Sequence, residues 1–180
     1  MKSLNVIVFL SIFSMLACQK PIIQPEAKQD AYFVARSYGG FFPIFRMELV
    51  DQNGRLLELQ TNQTDFRPWT GAGDSLQWDA KDLRASLALS HTMVDSLAED
   101  QLAKLVELVP ETEGVELNLD VSACCDRVST DYYALKLSDD QQTYQFIHLG
   151  ARARPFTGFM AEHESSDGKK LLKELVKVFP

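Results

Sequence analysis

Residues 44–60 read IFRMELVDQNGRLLELQ, and their pattern sets the fold class. Phe45, Met47 and Leu49 fall on one phase of a two-residue period, and Arg46 and Glu48 fall on the other. Successive side chains of a strand point to opposite faces, so this segment has one apolar and one polar face. Asp51-Gln52-Asn53-Gly54 follows, and an Asn-Gly pair tolerates the backbone of a tight turn. Residues 55–60 then return as a second arm. The reading is a β-hairpin, and a hairpin makes antiparallel pairing the rule for the sheet that contains it.

The neighbouring segments extend that sheet. Upstream, residues 31–38 (AYFVARSY) are aromatic and β-favouring and read as a strand broken by Gly39-Gly40. Downstream, residues 83–94 (LRASLALSHTMV) set Ala85, Leu87 and Leu89 against Arg84, Ser86 and Ser90, which predicts a strand. Val115, Leu117, Leu119 and Val121 alternate with Glu116, Asn118 and Asp120 in the same way. Tyr132 to Leu137 and Thr143 to Leu149 form a second hairpin across residues 138–142.

Two segments carry the helical period instead. Ser96-Leu97-Ala98-Glu99 has the spacing of a capping box, and Leu102, Leu105, Val106 and Val109 then share one face up to Pro110. Ser166-Asp167-Gly168 opens a closing helix with Leu171, Leu172, Leu175, Val176 and Phe179 on its buried side. The expected fold is α+β: an antiparallel sheet of hairpins with two helices, about 96–109 and 167–178, packed on one face. Residues 61–82 and 152–163 read as irregular.

The amino terminus has a different character. Met1-Lys2 precedes an apolar run from Leu4 to Leu16, too short for a permanent membrane span. The run ends in Ser14-Met15-Leu16-Ala17-Cys18, and Gln19-Lys20-Pro21 breaks it. This sequence resembles the lipobox of bacterial lipoproteins. The resemblance implies cleavage before Cys18, lipid on its thiol and acylation of the new amino terminus. An ordinary secretory signal cut after Ala17 is the alternative. With Gln rather than Asp after the cysteine, the resemblance implies the outer membrane of a Gram-negative cell envelope. Several acyl chains anchor firmly where one binds only marginally. The expected organisation is a signal peptide over 1–17, a flexible tether over 18–30 and one globular domain over 31–180.

Composition narrows the partners. Lys and Arg number 18 against 25 Asp and Glu, a formal charge of −7. Removing residues 1–17 takes away Lys2 and no acid, so the mature chain is one unit more negative. Nucleic acid is excluded as a partner, because phosphate contact needs a basic face. The expected partners are the membrane, through lipid on Cys18, and another envelope protein.

Once Cys18 is lipidated, only Cys124 and Cys125 remain, and they are adjacent. Neighbouring Cα atoms lie about 3.8 Å apart, less than the roughly 4.4–6.8 Å of an ordinary disulfide. Asp120, Asp126 and Asp131 surround the pair and oppose thiolate formation. A redox or soft-metal site at Cys124 and Cys125 is the alternative to two inert residues at the end of a strand. His91, His148 and His163 show no metal-helix spacing; His91 and His148 would meet only if their strands were neighbours. Glu162-His163-Glu164 reads as a solvated patch. Arg152 and Arg154 would hold an anion or, more simply, make surface salt bridges. No nucleophile elbow, dinucleotide loop or phosphate loop occurs, so no catalytic residue and no cofactor is expected. The exposed aromatic segments offer a contact surface at Tyr38, Phe41, Phe42, Trp69 and Trp78, unless the tryptophans pin their loop to the core.

The run of an aromatic Gly-Gly-Phe entry, a hairpin, a central helix, a strand pair and a last helix resembles small bacterial secreted domains of unknown function. That resemblance implies the α+β fold over residues 31–180 and carries no assigned activity over to this chain.

Overall fold

The Asn-Gly hairpin forms β2 (Ile44–Asp51) and β3 (Arg55–Leu59) in the computed structural model, which describes residues 29–39, 44–59, 77–88, 91–111, 114–117, 128–154 and 158–179. Its loop has three residues, Gln52 to Gly54. The Gly54 amide donates to the Asp51 carbonyl at 3.0 Å, and Gly54 alone carries a positive φ, +77°. That is a type I turn closed by a left-handed glycine, a common three-residue solution. The buried Asp51 carboxylate fixes it, accepting from the Asn53 and Arg55 amides, both at 2.9 Å, and from Arg55 Nε at 2.7 Å.

Around this hairpin stand β1 (Ala31–Gly39), β4 (Gln77–Asp79), β5 (His91–Ser96), β6 (Val115–Leu117), β7 (Val128–Leu137), β8 (Thr143–Arg154) and β9 (Phe159–His163). The described strands form one sheet in the order β5-β3-β2-β1-β7-β8-β9-β6, with β4 on the first residues of β8. Every pairing is antiparallel. The α+β reading with an antiparallel sheet holds.

Three helices lie among the described residues: α1 (Ala80–Ala88), α2 (Glu99–Glu107) and α3 (Ser166–Val178). The strand expected over 83–94 is therefore corrected. Its first half is α1 and its second half is β5. Leu83 and Leu87 fit the helical period as well as the alternating one, and Ala, Lys, Leu and Arg favour the helix. The Asp79 carboxylate opens α1 by accepting from the Lys81 amide at 2.7 Å. Residues 152–163, expected to be irregular, instead contain the end of β8 and the whole of β9.

The second helix starts later than its capping-box spacing suggested. Ser96 is the last residue of β5, paired with Arg55, so its backbone belongs to the ladder. Ala98 is the N-cap, and only the return arm of a capping box forms, from the Ala98 amide to Gln101 Oε1 at 3.1 Å. The third helix has a true cap in Ser165, whose hydroxyl accepts from the Gly168 amide at 3.0 Å.

The sheet carries a core on each face. Phe33, Ala35, Val50, Leu56, Tyr132 and Leu149 pack with Leu102 and Leu105 of α2 and Leu171, Leu172 and Leu175 of α3. Val34, Met47, Leu49, Leu57, Tyr133 and Phe146 pack on the other side with Trp78 and with Ala80 and Leu83 of α1. The alternation of β1, β2 and β7 supplies both cores at once.

Candidate functional site

The centre of the sheet holds a buried polar cluster around Asp131. Across β1 and β7, Arg36 stands opposite Asp131 and Val34 opposite Tyr133; across β7 and β8, Tyr133 stands opposite His148. Residues directly opposite in an antiparallel pair share a face. Arg36, Tyr38, Asp131, Tyr133 and His148 therefore lie together on the α1 side of the sheet.

Asp131 is the hub and is 8% exposed. Its Oδ2 accepts from the Tyr133 hydroxyl at 3.2 Å and its Oδ1 from the Tyr38 hydroxyl at 3.4 Å. Both bonds are long for a hydroxyl donor. His148 Nε2 lies 3.9 Å from Oδ1. The His148 ring stacks on Tyr133 with centroids 4.9 Å apart, and the Arg36 guanidinium sits 5.4 Å over the Tyr38 ring.

Burial raises the Asp131 carboxyl above the ordinary carboxylate range. The charge of His148, the two tyrosine hydrogen bonds and Arg36 pull the other way and only partly offset it. Burial, aided by Asp131, also raises the Tyr38 and Tyr133 phenols, so both remain donors at neutral pH. At 3.9 Å the His148–Asp131 pair is an electrostatic contact and is longer than a hydrogen bond. The Ser129 hydroxyl, two residues before Asp131 on β7, donates to Met160 Sδ at 3.9 Å.

The expected site residues fare differently. Tyr38 is 39% exposed and its hydroxyl reaches Asp131, so it belongs to both surface and site. Trp78 is 1% exposed and stacks on Phe146 at 5.9 Å, so it anchors the core and is not a contact surface. That correction agrees with the pinning alternative, and its cause is the pairing of Trp78 with Tyr144 at the start of β8. Cys18, Phe41, Phe42, Trp69, Cys124 and Cys125 lie outside the described residues.

His91 and His148 do not meet, because β3, β2, β1 and β7 separate their strands. The solvated reading of His163 is also corrected. The ring is buried, and its Nδ1 accepts from the Ser165 amide at 3.1 Å beside the Ser165 hydroxyl at 2.9 Å, which braces the start of α3. Among the described residues no three His, Cys, Asp or Glu side chains gather as a metal site. None of the described helices is long and apolar enough to cross a membrane.

Sequence reasoning missed Arg36, Asp131, Tyr133 and His148 as a unit. Its second hairpin began at Tyr132, whereas β7 begins at Val128 and places Asp131 inside the sheet. Asp131 and Tyr133 on one phase was the available signal. Searches of protein-family models, curated proteins and solved structures returned no match to this chain.

Proposed function

We propose that this chain is a lipid-anchored cell-envelope protein whose domain binds another envelope protein without catalysing a reaction. The observation that carries the reading is Ser14-Met15-Leu16-Ala17-Cys18 at the end of a short apolar run behind Met1-Lys2. The geometry next to it fits. The last two residues of the expected tether are held by the domain: Gln29 Oε1 accepts from the Leu137 amide at 3.0 Å, and Asp30 bonds the buried Tyr144 hydroxyl through its amide at 2.7 Å. The residues between Cys18 and Gln29, at about 3.4 Å each when extended, would hold the sheet a few nanometres from the acyl chains at most.

The surface best suited to a protein partner is β5. Among the described residues it is a sheet edge, paired only with β3, and all six of its residues are exposed. Met93 at 61% and Val94 at 46% are large apolar side chains left in water. An exposed edge offers unpaired backbone groups to an added strand, and apolar side chains along it give the added strand grip.

Intact mass of the protein purified from its native membrane tests the anchor. A diacyl or triacyl increment that disappears in Cys18→Ala supports it, and an unmodified mature chain overturns it. Photocrosslinking from position 93, compared with the exposed helix position 173, tests the edge. One partner captured from 93 and not from 173 supports the reading; equal capture from both overturns it.

A further inference from the structure

The opposite face of the same sheet holds a second polar arrangement. Arg46 of β2 stands opposite Ser37 of β1, Ser37 opposite Thr130 of β7, and Thr130 opposite Arg152 of β8. These four residues form one row across four strands. Opposite residues share a face, and Ser37 is in phase with Phe33 and Ala35, so the row lies on the α2 and α3 side. The row thus reads arginine, serine, threonine, arginine.

Its hydrogen bonding leaves guanidinium donors unmet. The Ser37 and Thr130 hydroxyls bond each other at 2.8 Å. Arg46 spends Nη2 on Glu48 at 2.9 Å and on Glu58 at 3.3 Å. Yet Nε of Arg46 and Nε of Arg152 are both shielded from solvent and have no hydrogen-bond partner among the described residues. A shielded N–H donor left unmade costs about 1–3 kcal/mol, so two on one row call for an acceptor. Two arginines outside the row, Arg55 of β3 and Arg84 of α1, contrast with these. Arg55 Nε donates to Asp51 at 2.7 Å and Arg84 Nε to Asp30 at 2.9 Å.

The two guanidinium edges can donate and cannot accept, so the row carries an excess of donors. A guanidinium presents parallel donors that match the two oxygens of a carboxylate, phosphate or sulfate. The hydroxyl pair between the arginines adds a donor, since only one of its two protons is used within the pair. Glu48 is buried and its ion pair holds the Arg46 side chain beside the row. A neutral polyol would bring as many donors as acceptors and would leave this excess unmet.

We propose that the row Arg46, Ser37, Thr130 and Arg152 is a binding site for an oxyanion group, a carboxylate, phosphate or sulfate, with Arg152 as its main ligand. The chain as a whole is acidic, so the site works by local contact and not by long-range attraction. It is independent of β5 and of the Asp131 network on the other face.

Arginine Nε–Hε spectra of the full chain in a neutral detergent test this. Inorganic phosphate, sulfate and acetate are titrated in turn. At least one should shift the Arg46 and Arg152 signals saturably while Arg55 and Arg84 stay in place. Arg152→Gln should weaken that binding at least tenfold, and Arg152→Lys should recover only part of it, since lysine keeps the charge and loses the fork. Ser37→Ala combined with Thr130→Val gives a second variant, expected to weaken binding severalfold with the melting temperature as the check on folding. Still signals with all three anions, shifts shared equally by Arg55 and Arg84, or unchanged affinity in Arg152→Gln would each overturn the site. Flotation of the Cys18→Ala protein with phosphatidylglycerol vesicles, against phosphatidylcholine vesicles, separates the sources. Arg152-dependent flotation assigns the oxyanion to a lipid headgroup; phosphate binding without flotation assigns it to a soluble or glycan-borne group.

Discussion

Asp131 shows how burial and partners compete at a single residue. Its carboxyl is raised from the ordinary value of 3.8 because desolvation outweighs His148, the tyrosines and Arg36. A raised carboxyl binds its proton more tightly in the folded state than in the unfolded one. Its contribution to stability is therefore fully present below pH 3.8 and is lost as pH rises through the folded value. Asp131→Asn cannot ionise and lacks that loss. Denaturant melts from acid to neutral pH should show the variant gaining on wild type as pH rises. The opposite trend would mean that His148 and Arg36 dominate the carboxylate. Tyr144 makes the alkaline counterpart. Its buried hydroxyl donates to Asp30 Oδ2 at 2.9 Å, and burial pushes the phenol up to about 12. The stability it adds is present below pH 10 and fades as pH climbs toward 12. Tyr144→Phe should cost about 1 kcal/mol at neutral pH and should flatten the alkaline loss measured in the same melts.

At the scale of the elements, one irregularity in β8 arranges both polar faces. Tyr132 pairs with Gly150 but Tyr133 pairs with His148, so Leu149 is an extra residue. A bulge of this kind resets the alternation beyond it. His148 stays on the face of Asp131, while Arg152, four residues later, comes out on the opposite face beside Thr130. Gly150 makes this feasible with φ +151°. A Cβ there would strike the Ala161 carbonyl oxygen and stand 2.6 Å from Leu172 Cδ2. Gly150→Ala should cost about 1–3 kcal/mol from overpacking alone, with strain added, and should disturb the Tyr133–His148 stack. Chemical denaturation and the aromatic NMR shifts of Tyr133 report the two effects. The same element scale explains what was legible. β2 and β3 were plain because Phe45, Met47 and Leu49 alternate for long enough to exclude a helix. The segment 83–94 was not, since Leu83 and Leu87 satisfy both periods and pairing of His91 to Ser96 with β3 is set far along the chain. The bulge had no local signal beyond Gly150 itself. The arginine row and the Asp131 network depend on register between distant strands, and no spacing within one strand encodes that.

For the whole molecule, the order of strands ranks their stability. β1, β7 and β8 occupy the middle, with seven ladder pairs joining β1 to β7 and ten joining β7 to β8. Cores from both helix layers cover them: α2 and α3 on one side, α1 with Trp78 on the other. β5 and β6 stand at the ends of the order, β5 wholly exposed and β6 only three residues long. Amides in fully covered central strands open only with global unfolding, whereas edge strands open locally at low cost. Hydrogen exchange should therefore be slowest at Val34, Tyr133, Ala134 and Ile147, with a single shared opening free energy. It should be orders of magnitude faster along His91 to Ser96. Binding of a strand-adding partner at β5 should slow exchange on His91 to Ser96 and leave the central amides unchanged, because pairing a free edge adds no cover to the middle of the sheet. Protection that rises first in β7 and β8 would place the partner on the polar faces instead, and would move the search for it from the edge to Arg152 and Asp131.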